Sequence, residues 1–487
     1  WHGASARVAD MLRLHDVAPQ RRCPDPDLAA RRNSMNMIDA SGHRVSGANA
    51  EALAAFEQGA RELLCLVDDP LASTERALAA SPEMTMAHVL KAWLHLLGTE
   101  PDALAVARAS CAAAAALPAD GRERRHGEAA SALAAGRWRE AALRLEDLSL
   151  AYPRDTLALQ CGHQIDFFRG DSRMLRDRVA RALPAWDDGA PGWHAVLGMH
   201  AFGLEETGDY TAAEAAGRRS VELESRDSWG WHAVAHVHEM RNRPRDGIAW
   251  LAPTRERWAP GSFLGCHNGW HLALFHLELD EHDEVLRLYD AAIGGTGSQV
   301  TLDLVDASAM LWRLHLRSVD VGAPRWVSLA DRWAPFAKAG HYAFNDLHAM
   351  IAFVGAGREA LQGELLAAQR EVMARGEGSD ADGADNASFT RDVGHPAALA
   401  VQACGRGDYT RAAALLRAIR SQAHRFGGSH AQRDLIDLTL IEAALRGGDK
   451  ALATGLAAER AALKPRSPLA QRFVQRAQGL RPEGATS

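Results

Sequence analysis

The chain has 487 residues, of which 47% are hydrophobic, enough for a sizeable buried core. Its 55 Lys and Arg residues and 62 Asp and Glu residues give a net charge of −7. Because this mild acidity is spread along the chain, it argues against nucleic acid or an anionic membrane as the main partner. No stretch approaches the roughly 18 to 20 apolar residues that a membrane-spanning helix needs, so we predict a soluble protein.

The composition changes along the chain and suggests three segments. Residues 1–46 are rich in Arg, Asp and Pro, and we expect a weakly ordered N-terminal arm. Residues 47–478 are predicted to form one helical array, and residues 479–487 a frayed tail. Within the array, residues 376–388 are acidic and Gly-rich. Their order does not match an EF-hand calcium loop, so we expect a solvated linker.

A short turn signal recurs along the array, in which a helical run ends at Gly-Asp or Gly-Arg and an Ala- and Leu-rich helix follows. From Gly136 to Asp280 it recurs at intervals of about 34 to 38 residues, close to the tetratricopeptide period of 34. The turns begin at Gly136, Gly170, Gly208, Gly357, Gly407 and Gly448, with weaker versions at Arg243 and Asp280.

The residues of these turns explain why two helices meet there. Glycine ends the first helix in a left-handed conformation, and the following Asp caps the second helix. Small residues at helical spacing, as in residues 212–216, let neighbouring helices approach closely, and strand-like alternation is nearly absent. We therefore predict an all-α fold, a tetratricopeptide-like α-solenoid of antiparallel helix pairs.

The six cysteines are far apart in the chain and form no CxxC pair. A chain of this length does not need disulfide bonds for its stability, and reduced thiols are typical of the cytosol. We therefore expect a cytoplasmic protein.

The histidines are distributed unevenly between the two helices of each pair. In stacks of this kind the first helix usually lines the concave surface, and the second faces outward. Most second helices of the middle pairs carry no histidine past the turn. The histidines in or at the start of first helices are His163, His194, His200, His232, His236, His238, His267, His271, His276, His341 and His348.

Helical spacing groups these side chains further. At 100° per residue, His232, His236 and Glu239 point within about 60° of one another, whereas His238 points elsewhere. We therefore expect imidazoles and carboxylates from successive first helices to share one groove. Further pairs at i, i+3 or i, i+4 spacing are His267 with His271, His163 with Asp166, Asp303 with Asp306, and Asn345 with His348.

Two kinds of chemistry fit such a groove. Imidazole and carboxylate ligands on facing helices suit zinc, iron or manganese, so a divalent transition metal is the candidate cofactor. His-Asp pairs suit acid–base chemistry, because the carboxylate fixes the imidazole tautomer. The candidate metal ligands are His232, His236, Glu239, His267 and His271. The candidate catalytic residues are His163, Asp166, His232, His236, Glu239, Asp346 and His348. The candidate ligand-binding residues are Trp229, Trp270, Asp303, Asp306, Asn345, Arg391, Gln432 and Arg433.

A structural interpretation applies to each of these residues taken singly. A buried histidine more often hydrogen-bonds a neighbouring turn, and most tryptophans are packing residues. The segment HAVAHVHE at 232–239 lacks the HExxH order of zinc proteases. The P-loop, GxGxxG and GxSxG motifs are absent from the sequence.

Residues 427–434 are an unusual polar stretch that opens a helix. Their glycines and exposed amides could hold an anion or a carboxylate. The alternative is a helix cap with Ser429 as its first residue. Arg391 and Asp392 could form a simple ion pair.

Several motifs occur in order between residues 47 and 478. They are DSW at 227–229, HAVAHVHEM at 232–240, CHN at 266–268, WH at 270–271, LVD at 304–306, FND at 344–346 with His348, RDVG at 391–394, AQRD at 431–434, and LKP at 463–465 with SPL at 467–469. With these motifs the chain resembles the tetratricopeptide repeat protein 38 family. The resemblance implies a cytosolic helical array and brings no settled activity. His430 stands where a family relative can carry Asn, which weakens a catalytic role for His430.

Three functions are consistent with these observations. The first is a solenoid that binds a small molecule or a peptide in a His-, Asp- and Glu-rich concave groove. The second is an enzyme that uses the same groove, such as a metal-dependent hydrolase or another acid–base catalyst. The third is a protein-interaction scaffold without a pocket. Neither nucleic acid nor a membrane is expected as a partner, and homo-oligomerisation stays open.

Overall fold

The computed structural model describes residues 37–376 and 385–480. The described chain opens with a two-stranded antiparallel hairpin, β1 (Met37–Ile38) and β2 (Arg44–Val45). The backbone N–H of Ser46, directly after the hairpin, donates to Glu123 Oε1 at 2.8 Å. Residues 37–46 of the predicted weakly ordered arm are therefore part of the folded structure, because they pair with each other and with the helical array. Residues 1–36 of the arm lie outside the described residues.

The rest of the described chain is almost entirely helical, which confirms the predicted all-α fold. The first ten helices are α1 (Ala50–Cys65), α2 (Pro70–Ala80), α3 (Thr85–Leu96), α4 (Leu104–Ala115), α5 (Gly121–Ala134), α6 (Trp138–Ala151), α7 (Thr156–Phe168), α8 (Ser172–Ala182), α9 (Trp193–Glu206) and α10 (Tyr210–Leu223). The next eight are α11 (Ser228–Met240), α12 (Pro244–Leu251), α13 (Arg255–Trp258), α14 (Gly265–Glu278), α15 (His282–Leu288), α16 (Thr301–Leu316), α17 (Ala323–Trp333) and α18 (Ala343–Gly355). The last are α19 (Glu359–Arg375), α20 (Asp385–Phe389), α21 (His395–Gly405), α22 (Tyr409–Ile419), α23 (His430–Arg446), α24 (Lys450–Leu463) and α25 (Pro468–Gly479).

Short segments of other helix types connect or extend these elements. The 3-10 segments are Pro101–Ala103, Leu183–Ala185, Ala252–Thr254, Ala334–Phe336 and Arg420–Phe426. The π-helical segments are Tyr289–Ile293 and Thr390–Gly394. Helices that follow one another in the chain pack side by side, as α9 does with α8, α10 and α11, so the packing is that of an α-solenoid.

The turns between paired helices have the predicted chemistry. Gly208 has a φ of 89°, which only glycine adopts without strain, and the Asp209 side chain accepts the backbone N–H of Ala212 at 3.2 Å. At the weaker turns Asn242 and Asp280 take the left-handed position, with φ of 49° and 61°. Asn and Asp tolerate this conformation better than other side chains, so these turns keep the same geometry without glycine.

Parts of the chain that are far apart in sequence meet around the inner helices. Helix α23 packs against α16 and α11. Trp312 Nε1 donates to Thr439 Oγ1 at 3.0 Å, and the Tyr342 hydroxyl donates to the carbonyl oxygen of Phe168 at 2.9 Å. These contacts cover the predicted concave groove, so most of its polar residues lie in a closed interior.

The two other segments predicted from composition are only partly described. Residues 377–384 of the acidic linker and residues 481–487 of the tail lie outside the described residues, whereas Asp385–Phe389 forms α20. Within the described ranges, no helix is both long enough and apolar enough to cross a lipid bilayer.

Candidate metal centre

Four histidines from two neighbouring first helices converge in the interior. His232 and His236 lie one turn apart on α11, and His267 and His271 lie one turn apart on α14. Because i, i+4 residues share one face of a helix, each pair points toward the other helix. One ring nitrogen from each of the four residues lies within 4.8 Å of the others. Two adjacent helices therefore build a cluster of four imidazoles.

The spacing within this four-histidine cluster suits a metal ion. The Nε2 atoms of His232 and His267 lie 3.1 Å apart. Two nitrogens bound tetrahedrally at ordinary zinc–nitrogen distances of about 2.0–2.1 Å would lie about 3.3 Å apart. His232, His236 and His271 are buried, and only His267 is partly open to solvent, with 14% of its side chain exposed.

A carboxylate holds the His267 ring from behind. Nδ1–H of His267 donates to Asp306 Oδ2 at 2.8 Å, so Nε2 is the ring nitrogen that faces the cluster. In metal sites a ligating histidine commonly has its second ring nitrogen bonded to a carboxylate, which fixes the ring and raises its basicity. Asp306 occupies that outer position at His267. Glu205 Oε2 lies 3.3 Å from Nδ1 of His236 without forming a hydrogen bond to it.

The buried ring nitrogens lack partners. Nδ1 of His232 and both ring nitrogens of His236 and of His271 have no hydrogen-bond partner among the described residues. An unpartnered buried polar atom costs about 1–3 kcal/mol, so five such atoms in one place are expensive. A metal ion would give one nitrogen of each ring a partner and offset much of this cost.

Burial keeps these imidazoles in the neutral form that binds metals. Burial, together with the neighbouring imidazoles, holds the pKa of His232 and of His271 well below the ordinary histidine value. Burial also lowers the pKa of His236 to about 3. Neutral imidazole is the ligand form, because a protonated ring has no free lone pair.

Aromatic rings enclose the cluster. The Trp270 ring stacks on His267 at a centroid distance of 5.3 Å, and the Trp229 ring lies 4.9 Å from that of His232. The guanidinium of Arg313, which is fully buried, lies 5.3 Å from the centre of the Trp270 ring. Trp229 and Trp270, predicted as ligand-binding residues, therefore wall the cluster and exclude water from it.

A second acidic group borders the cluster through His236. Glu205 and Glu206, at the end of α9, lie close enough to His236 to share a cation with it. Glu206, however, already accepts the backbone N–H of His430 at 2.7 Å and lies 3.0 Å from its Nδ1. Arg433 also contacts Glu206, at 3.3 Å. These positive partners make Glu206 a support for the four-histidine cluster rather than a ligand of a second cation.

The same contacts decide between the two interpretations of residues 427–434. Ser429 caps α23, and Gln432 completes the capping box, so the predicted ligand-binding role of Gln432 is replaced by a structural one. The start of α23 also binds an anion through a backbone N–H group. That anion is the carboxylate of Glu206. The hydrogen bond from His430 and the charge of Arg433 outweigh burial and lower the pKa of Glu206 to about 2.

A charged cleft of about 250 Å³ lies next to Glu206, on the side of His430 and Arg433. Its lining includes Glu239, His430, Arg433, Asp434 and Lys464. Two of these, His430 and Arg433, contact Glu206 directly, and Glu239 contributes to the electrostatic field at His236. One layer of side chains therefore separates the cleft from the four-histidine cluster.

The structure differs from the prediction at Glu239. Its carboxylate binds the Lys464 ammonium at 2.8 Å, and it does not belong to the group of four converging ligands. The positive charge of Lys464 outweighs burial and lowers the pKa of Glu239. A carboxylate neutralised in this way is a poor metal ligand, so the metal prediction is corrected to the four histidines alone.

Two predicted catalytic residues on α7 do not join the cluster. Nε2–H of His163 donates to the carbonyl oxygen of Met199 at 3.0 Å, and its ring packs edge-on against Trp229. The Asp166 carboxylate binds the guanidinium of Arg178 through two bonds of 2.7 and 3.1 Å. These contacts give both residues structural roles, although Nδ1 of His163 has no hydrogen-bond partner among the described residues.

The predicted site residues on α18 form a separate buried polar group. Nδ1–H of His348 donates to the carbonyl oxygen of Phe344 at 2.8 Å, and Asn345 donates to Thr99 Oγ1 at 3.0 Å. Asp346 accepts only a long bond of 3.4 Å from Gln369, and burial raises the pKa of Asp346 to about 7. The proposed catalytic roles of Asp346 and His348 find no support in these contacts.

Of the remaining predicted ligand-binding residues, Asp303 lies near the cluster and Arg391 lies elsewhere in the chain. Asp303 hydrogen-bonds Cys266, next to His267, and burial raises the pKa of Asp303. Arg391 donates to the carbonyl oxygen of Met373, while Asp392, expected to pair with Arg391, binds Arg425 at 3.2 Å.

Three residues of the site were not predicted from the sequence. They are Glu205, Glu206 and Arg313. A signal existed for each, since all three are charged residues near the ends of first helices, where a groove-facing position was already expected.

Comparison with known protein families found no family profile that matches the chain. The resemblance to the tetratricopeptide repeat protein 38 family therefore stays an expectation.

Proposed function

We propose that this protein binds a divalent transition-metal ion through His232, His236, His267 and His271, and that the charged cleft beside this centre binds a small polar molecule. The observation that carries the proposal is the convergence of four imidazoles, three of them buried. Imidazole ligands suit zinc, copper, iron and nickel.

The charged cleft favours a small polar molecule over a peptide. Its volume of about 250 Å³ is below the range of about 300–1,000 Å³ typical of pockets for drug-sized ligands. Acidic and basic side chains both line it: Glu239 binds Lys464, and His430 and Arg433 contact Glu206 behind the lining. A small molecule with both a negative and a positive group would match this lining.

Metal analysis of the untagged protein by mass spectrometry tests the metal half of the proposal. We expect about one equivalent of one transition metal, because the cluster offers a single set of four ligands. The His232→Ala, His271→Ala double variant should fall below about one-tenth equivalent.

A matched control distinguishes the loss of a metal-binding side chain from a general loss of stability. His238→Gln changes a histidine that is equally buried on α11 but points away from the cluster. This variant should keep its metal. A wild-type protein with less than about one-tenth equivalent of any transition metal, and with unchanged stability in chelator, would reject the proposal.

An enzyme built on the same centre is the second candidate, favoured by the position of Glu205. Both carboxylate oxygens of Glu205 are buried without a hydrogen-bond partner among the described residues, 3.3 Å from His236. Such a group could give or take a proton beside a metal-bound substrate. A screen of esters, amides and other metabolites with metal-loaded protein should show turnover that Glu205→Gln removes. Turnover unchanged by Glu205→Gln would exclude this role.

The repeat type and the location of the protein are part of the same proposal. The turn spacing and the inward position of the first-helix histidines support tetratricopeptide-type pairs. The five cysteines that the structure describes are all free, which supports a reducing, cytoplasmic compartment. Gel filtration coupled to light scattering, with and without metal, would show whether the protein also forms homo-oligomers.

A further inference from the structure

A second cleft, separate from the four-histidine cluster, lies beneath the N-terminal hairpin. It has a volume of about 180 Å³. The segment between β1 and β2 forms one side through Asp39 and His43, and α1 forms another through Arg61. His194, at the start of α9, and Arg122, from α5, complete the polar part of the lining.

His194 is fixed with one nitrogen toward the protein. Its Nδ1–H donates to Asp227 Oδ2 at 2.7 Å, and Asp227 is fully buried. Asp227 is itself held by the Ser220 hydroxyl, at 2.9 Å, and by the backbone N–H of Gly230, at 3.0 Å. The imidazole therefore has a fixed orientation. The hydrogen bond and charge of Asp227 outweigh burial and raise the pKa of His194, which favours the protonated ring whose Nε2–H can donate to an anion in the cleft.

The acidic groups of the cleft are already engaged. Asp155 accepts from Arg122 Nη1 and contacts His126 Nε2, both at 2.9 Å. The backbone N–H groups of Ser41 and His43 donate to Asp39, and that of Ala40 donates to Glu57 Oε1 at 2.7 Å. These carboxylates therefore have little capacity left for a cationic ligand.

The basic groups contribute positive charge at the cleft. Arg122 is 3% exposed and binds Asp155 through Nη1, so it lies in the wall and offers no exposed N–H to a ligand. Arg61 lies at the exposed rim of the cleft. Together with His194, these two cations favour an anion in the cleft.

The other wall of the cleft is apolar. It is formed by the side chains of Phe56, Leu64, Met86 and Leu157. The cleft volume of about 180 Å³ is below the range of about 300–1,000 Å³ typical of pockets for drug-sized ligands, so only a small body fits against this wall.

We infer that this cleft is a binding site for a small monocarboxylate, whose carboxylate lies between His194 and Arg61 and whose short hydrocarbon body packs on Phe56 and Leu157. The site does not depend on the metal centre, since it shares no side chain with the four-histidine cluster. Binding here and metal binding can therefore fail or succeed separately.

Isothermal titration of the full-length protein with hexanoate tests the inference. Hexylamine and hexanol have the same hydrocarbon chain with a cationic and a neutral head, so they serve as matched ligands. We expect saturable one-to-one binding of hexanoate, and binding of hexanol and hexylamine weaker by about tenfold or more, the value of one charge-assisted hydrogen bond.

Variants show where the carboxylate binds. His194→Gln and Arg61→Gln should each weaken hexanoate binding by about tenfold, while metal content stays unchanged. Arg61 is exposed, so its variant should fold normally even if His194→Gln does not. Arg173→Gln, an exposed arginine on α8 outside the cleft, is the control and should bind like the wild type. The inference is overturned if hexanoate shows no saturable binding, if hexanol binds equally well, or if Arg61→Gln and His194→Gln both bind like the control.

Discussion

The Nε2 atoms of His232 and His267 lie 3.1 Å apart in the interior, and Asp306 accepts the Nδ1–H of His267. The two Nε2 atoms can therefore either share one proton in a direct hydrogen bond or bind a metal ion between them. Metal binding and the direct contact of the two rings are therefore alternatives at the same position.

Loss of the outer carboxylate should weaken metal binding without unfolding the protein. Asp306→Asn removes the charge that orients His267, and we expect the metal dissociation constant to rise about 10- to 100-fold. Competition with a chromophoric chelator measures this constant. Asp283→Asn, at an exposed position on α15, should leave it unchanged, and equal affinities in the two variants would contradict the outer role of Asp306.

Metal-free protein should lose stability on acidification. Burial lowers the pKa of His236 to about 3, whereas an unfolded histidine has a pKa near 6.5. Between these values the unfolded chain binds more protons than the folded one, so the free energy of unfolding falls as the pH falls. The contribution of His236 is fully present above about pH 6.5 and is lost progressively toward about pH 3.

Urea denaturation of chelator-treated protein between pH 7 and pH 5 checks this dependence. The His236→Gln variant removes one of the titrating groups, so its free energy of unfolding should fall less steeply with pH than that of the wild type. An identical slope in the two proteins would show that His236 is not buried in the neutral form.

The contact between α9 and α23 should contribute measurably to stability. Glu206→Gln removes the charge that His430 and Arg433 bind, and we expect a loss of about 2 kcal/mol in the free energy of unfolding. Glu222→Gln, at an exposed position on α10, is the control and should stay within about 0.5 kcal/mol of the wild type. Denaturant titration of both variants distinguishes these outcomes.

Two turn glycines provide a matched test of how the distant segments close over the array. At Gly170, which has a positive φ, an added Cβ would lie only 1.7 Å from the carbonyl oxygen of His424. At Gly208, also with a positive φ, nothing lies within 4 Å. We expect Gly208→Ala to cost about 1–2 kcal/mol from backbone strain alone, and Gly170→Ala to cost clearly more. Equal losses in thermal unfolding would mean that the 420–426 segment does not pack on this turn.

Local features of the fold could be predicted from the sequence because they depend on neighbouring residues. The turn at Gly208 and its Asp209 cap are examples. The common direction of His232 and His236 is another, since one helical turn sets it. From these features the all-α fold could be predicted, and the four histidines that converge could be named as candidate ligands.

Contacts between distant residues could not be predicted in this way. Glu239 has the right helical position for a ligand, but Lys464, 225 residues away, binds its carboxylate. Glu206 likewise meets His430 across 224 residues. Because periodicity carries no information on which distant segments meet, the closure of the groove by α23 became visible only in three dimensions.

X-ray absorption spectroscopy at the metal edge tests the central claim most directly, since it counts the ligands of the bound ion. For the metal-loaded wild type we predict four imidazole nitrogens at about 2.0–2.1 Å, and a lower count in His271→Ala. A spectrum dominated by sulfur or by carboxylate oxygen, or one unchanged in His271→Ala, would contradict a metal centre held by the four histidines.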